Sequence, residues 1–72
     1  MTREDWLAAF AAELGADAPS AEQQDAVLEL AAEAAHASER TAAPIAAWMA
    51  GRAGRPLAEV LHLARRASGG AD

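Results

Sequence analysis

The chain contains no cysteine, so disulfides, thiolate nucleophiles and cysteine-held zinc or iron–sulfur centres are excluded, and the redox compartment stays open. Lysine is missing too, all six basic residues being arginine. Beside so much alanine and glycine, that bias reads as the codon usage of a GC-rich genome and not as guanidinium chemistry. Positive charge is short: six arginines face eleven acidic residues, for a net charge of −5 and a pI near 4.8. A general polyanion binder needs surplus cations to release counterions from phosphate, so nucleic acid is not an expected partner. No apolar run approaches the roughly 20 residues that span a bilayer. The opening Met1-Thr2-Arg3-Glu4-Asp5 lacks the basic and apolar regions of a leader. The expectation is a cytoplasmic protein without membrane attachment.

What remains is 72 residues, 53% of them hydrophobic, but much of that share is alanine, which buries little area. The length allows one domain and one small core. Large apolar side chains are few, and the burden of forming a core falls on Trp6, Leu7, Phe10, Leu14, Val27, Leu28, Leu30, Ile45, Trp48, Met49, Leu57, Val60, Leu61 and Leu63.

The spacing of these residues predicts four helices. Thr2 and Asp5 form the outline of a capping box, Trp6, Leu7, Phe10 and Leu14 recur at helical intervals, and Gly15 suits a left-handed C-cap. The first helix should run from about Arg3 to Leu14. Ser20 and Gln23 make a second capping box, starting a helix from Ala21 to about Ala37. Ser38-Glu39-Arg40-Thr41 interrupts the pattern, and Pro44 fits the first turn of a third helix with Ile45, Trp48 and Met49 as its buried stripe. That helix should fray or stop between Gly51 and Gly54. Pro56 is expected as the first residue of a fourth helix, whose core face is Leu57, Val60, Leu61 and Ala64 and whose last turn carries Arg65 and Arg66. Residues 1–67 then form the helical domain and Ser68–Asp72 a flexible tail.

Short connections make neighbouring helices mostly antiparallel, so the expected fold class is all-α, a compact bundle of four short helices. The alanines allow close approach, with the two indoles as space-fillers. Leu28, Leu30 and Leu63 fall off the main faces, where a leucine either marks a contact surface or is an ordinary exposed residue. So thin a core suits a domain that associates with a partner or with itself, and a weak homodimer in equilibrium with monomer is expected.

Chemistry-bearing patterns are sparse. Glu33 with His36 and Glu59 with His62 repeat a Glu-x-x-His spacing that di-iron bundles use, but the third helix offers no acid, so the ligand set is too small. No metal or cofactor is expected, a helical metal protein being the least supported reading. Glu22, Asp25, Glu29 and Glu33 trace an acidic ridge that repels itself unless solvated or met by cations. Ser20, Ser38 and Ser68 have cap or tail positions, and no Ser-His-Asp set is evident, so no enzyme is expected. His36, in the last turn of the second helix, reads first as a cap. With Arg40, Arg52 and Arg55 near helix ends it also forms the candidate contact set, for a protein partner or an anion.

Several stretches together resemble a small actinobacterial domain of unknown function, DUF6457. They are Asp5-Trp6-Leu7 with Leu14-Gly15, Leu28-Glu29-Leu30-Ala31 running to Ala35-His36, Glu39-Arg40-Thr41-Ala42-Ala43-Pro44-Ile45, and Met49-Ala50-Gly51. The likeness extends to about Ala67 and is most specific from His36 to Pro44 and at Gly51. Members of that family occur alone or appended to molybdenum cofactor guanylyltransferases, which make molybdopterin-guanine dinucleotide. This chain has no Gly-rich nucleotide loop, so the resemblance does not carry transferase activity. It implies an accessory module that docks on a guanylyltransferase or on a molybdoenzyme such as a formate dehydrogenase. The alternative is a small carrier that binds a pterin or nucleotide phosphate at His36, Arg40 and Arg55.

Overall fold

Two hydroxyl caps and two left-handed glycines set half of the helix ends in the computed structural model, which describes residues 1–69. Helix α1 covers Arg3–Leu14. The Asp5 amide donates to Thr2 Oγ1 at 3.0 Å, but the Asp5 carboxylate does not complete the box. At the other end Gly15 has φ 70°, and the amides of Gly15 and Ala16 donate to the carbonyls of Ala12 and Ala11, the paired bonds of a Schellman motif. Helix α2, Ala21–Ala37, opens with both halves of its capping box: the Ser20 amide donates to Gln23 Oε1 at 2.8 Å and the Gln23 amide to Ser20 Oγ at 3.1 Å.

Helix α3, Ala42–Ala53, has no side-chain cap. Its entry is held by amides of Ala42 and Ala43 donating to the carbonyls of Glu39 and Arg40, and Pro44 sits third, where a missing amide hydrogen forfeits no bond. Gly51 stays helical and Gly54, at φ 69°, ends the element. Helix α4 is Leu57–Ala67. Pro56 stands one place earlier than expected: it is the residue before the helix, extended at ψ 139°, with its carbonyl accepting the first helical bond from Val60.

A Cβ at Gly15 or Gly54 would meet nothing within 4 Å, so the demand there is conformational. Gly15→Ala and Gly54→Ala are each expected to cost about 1–2 kcal/mol, the penalty of an L side chain in left-handed backbone. The asparagine variants should lose less. Urea denaturation followed by circular dichroism measures both.

The four helices form the expected all-α bundle, organised on α2, which packs against both α3 and α4. Leu30 is the best-buried residue, 5% exposed, and Ala11 is the contribution of α1 to the buried set. Around them Leu7, Val27, Leu57, Val60, Leu61 and a run of alanines are half-buried.

Two sequence expectations are overturned. Trp6 is 53% exposed and Trp48 63%, while Phe10, Leu14, Ile45 and Met49 are also exposed, so neither the full α1 stripe nor the α3 stripe is core. The reason is rotation. Helix α1 turns Leu7 and Ala11 inward, one position round from Trp6 and Phe10. Helix α3 half-buries Ala43, Ala46, Ala47 and Ala50. An alanine face lets backbones close up and leaves no room for a large side chain, so the indoles point out instead of spacing the helices. Of the three leucines off the main faces, Leu30 is core, lying where α2 meets residues of α3 and α4, while Leu28 and Leu63 are exposed.

Arg65 reaches across to Glu29 at 3.3 Å, giving one member of the acidic ridge a cation. Both side chains are largely exposed, so the pair adds at most about 1 kcal/mol. The Ser68 amide and hydroxyl both donate to the Ala64 carbonyl, and the Gly69 amide donates to Arg66. These two residues of the expected tail therefore finish α4, and the remainder of that tail, residues 70–72, lies outside the described residues. No helix among the described residues is long and apolar enough to cross a membrane.

Candidate functional site

Three helices repeat one small-residue spacing. Leu30, Ala34 and Ala37 on α2, Ala46, Ala50 and Ala53 on α3, and Val60, Ala64 and Ala67 on α4 each follow an i, i+4, i+7 interval. All nine line a solvent-open groove of about 580 Å³. Met49 and Leu63 stand at its sides, and Glu33 and Arg55 supply its charge. A smaller recess of about 250 Å³ lies between the start of α1 and the first half of α2, lined by Leu7, Val27 and Leu28 among others. The alanine spacing by itself suggests close helix packing and does not announce the groove, which depends on how the three helices are placed.

The outward side of α3 is a separate surface. Ile45, Trp48 and Arg52 follow i, i+3, i+7 intervals, and Ile45 is 60% exposed. The Arg52 guanidinium lies 5.0 Å from the centre of the Trp48 ring, a contact worth about 0.5–1 kcal/mol at an exposed position. It biases the indole toward this position and presents an aromatic plane backed by positive charge.

The four expected contact residues are distributed unevenly around this surface. His36 is exposed in the last turn of α2 and Arg40 is exposed in the α2–α3 connector. His36 does not cap α2; the Ser38 hydroxyl does, donating to the Ala34 carbonyl at 2.7 Å. Arg52 stacks on Trp48, and Arg55 pairs with Glu59 at 2.6 Å. Helix α3, about 18 Å long at 1.5 Å per residue, separates Arg40 at its start from Arg52 and Arg55 at its end. The structure therefore brings Arg52 to Trp48 and Arg55 to the groove, without gathering Arg40 and Arg55 into one corner.

Neither Glu-x-x-His pair forms part of a larger ligand set: among the described residues no three His, Asp or Glu side chains converge as a metal cage. Glu59 is engaged by Arg55. All three serines act at helix ends, Ser20 at the start of α2, Ser38 at its close and Ser68 at the close of α4.

A family model described as Domain of unknown function (DUF6457) matches residues 1–57. The chain belongs to this family. No curated protein and no solved structure matches it. The DUF6457 match spans α1, α2, α3 and the first residue of α4, so it contains the outward face of α3 and all four of His36, Arg40, Arg52 and Arg55.

Proposed function

We infer that this chain is a non-catalytic helical interaction module, held by a larger protein through the outward face of α3, in molybdenum cofactor (guanine dinucleotide) biosynthesis or molybdoenzyme assembly. The observation that carries the docking part is the exposed Ile45 and Trp48 with Arg52 stacked behind the indole. Tryptophan and arginine are the residues on which binding energy most often concentrates. An indole already biased toward one position by its neighbour loses less freedom on binding. The partner that fits is a protein with an apolar pocket for Trp48 and a carboxylate facing Arg52, with Arg40, Arg55 and His36 at the margins. The link to molybdenum enzymes rests on the family resemblance, in which the same domain is appended to guanylyltransferases. The carrier reading has less behind it, because Arg40 and Arg55 lie at opposite ends of α3.

Affinity capture on the tagged chain in its native host, with retained proteins identified by mass spectrometry, tests this reading. The wild type is expected to retain a guanylyltransferase or a molybdoenzyme, and Trp48→Ala to lose it while keeping its helical circular dichroism. Retention of no molybdenum-related protein, or equal retention by Trp48→Ala, would contradict the proposal. Turnover of a substrate by the purified chain would contradict its non-catalytic part.

A further inference from the structure

The chain shows 5505 Å² of accessible surface, whereas a folded monomer of its 7.4 kDa is expected to show about 4,200 Å². The surplus is about 1,300 Å². The exposed Met1 and the α1–α2 connector hold part of it. Two copies that covered all of this surplus in each other would bury at most about 2,600 Å², so a part of it is enough for the roughly 1,600 Å² of a standard interface.

Two uncovered surfaces are suited to each other. On α1, Trp6 and Phe10 are exposed with ring centres 4.9 Å apart, and Leu14 continues their i, i+4, i+8 line. At the far half of α2 lies the alanine-walled groove, about 580 Å³ and open. One surface is bulky and convex; the other is hollow because its walls are small. Their positions along α2 also match. The recess shared by Leu7, Gln24 and Val27 places α1 beside the first half of α2, and the groove runs from Leu30 to Ser38 along the second half.

We propose that two copies of this chain pair antiparallel along α2, each seating Trp6 and Phe10 of its α1 in the groove between α2, α3 and α4 of the other. A two-fold axis near the middle of α2 makes the contact reciprocal, so the assembly closes as a dimer instead of growing into a fibre. Ile45 and Trp48 do not line the groove and stay outside the contact. The pairing therefore does not rest on the partner reading, and a dimer would present two such faces.

Sedimentation equilibrium of the full chain from micromolar to millimolar concentration is the test. The mass is expected to rise from 7.4 kDa toward twice that value. It should remain at the monomer mass for the double variant Trp6→Ser with Phe10→Ser, and for Ala53→Trp, which fills the groove from an exposed position and leaves α1 intact. Unchanged helical circular dichroism in both shows that folding is preserved. Because the chain has no cysteine, Leu14→Cys and Ala53→Cys mixed as separate proteins and treated with a short flexible thiol crosslinker should yield a mixed covalent dimer. A monomer mass throughout the range overturns the proposal. So does a dimer that survives both sets of substitutions, or crosslinking of the two cysteines only within one doubly substituted chain, which would place α1 in its own groove.

Discussion

Leu30→Ala should unfold most of the isolated domain, or move its urea midpoint far down, while Trp48→Ala should leave the midpoint almost where it was. Truncating a buried leucine costs about 2–5 kcal/mol. A chain of this length has on the order of 4–11 kcal/mol in total, and a core so short of large side chains lies toward the low end. Trp48 is larger, yet 63% exposed, and it forfeits on truncation little beyond its contact with Arg52, about 1 kcal/mol or less. The ranking is therefore the reverse of side-chain size. Equal losses in the two variants would mean that the indole is core and α3 is turned the other way.

The same substitution should have its large effect on association. Once the docking partner is in hand, Trp48→Ala is expected to weaken binding by about thirtyfold or more, since truncating a central anchor costs at least about 2 kcal/mol and each 1.4 kcal/mol is tenfold. Arg52→Ala should cost less than that, because it removes the backing of the indole and one charge at the margin. Arg52→Lys should recover part of the charge but not the stacking, since ammonium lacks the planar face of guanidinium. Titration calorimetry of the three variants separates these effects. A Trp48→Ala protein that binds as tightly as wild type would remove the outward face of α3 from the interface.

The helix ends were the most legible part of the sequence because caps are local. Thr2, Ser20 with Gln23, Gly15 and Gly54 act within four or five residues of themselves, and the bounds of α1 and α2 follow from them directly. Pro56 was misplaced by one position because proline is tolerated both before a helix and as its first residue. The faces were harder to read. Periodicity identifies which residues share a side, but in a helix rich in alanine it does not decide which side turns inward. In α3 the stripe of Ile45, Trp48 and Met49 and the stripe of Ala43, Ala46, Ala47 and Ala50 are equally regular, and the packing favoured the smaller one. Leu30 stayed ambiguous for the same reason: large enough for the core but off the apolar line of α2, it proves to lie at the junction with two other helices. The arginines were read as one cluster from their nearness to helix ends, and only the length of α3 shows Arg40 apart from Arg52 and Arg55.

On this reading Leu30 and the half-buried leucines and valines form the interior, while the exposed Trp6, Phe10, Ile45 and Trp48 serve contact with other protein. Acrylamide quenching of the two indoles, each observed alone in Trp6→Phe and Trp48→Phe variants, tests it most directly. In dilute isolated protein both should be quenched nearly as readily as free tryptophan. Trp6 should become shielded as concentration rises, and Trp48 only when the docking partner is added. A Trp48 shielded in the dilute free chain, or one whose quenching is unchanged in the complex, would contradict the account.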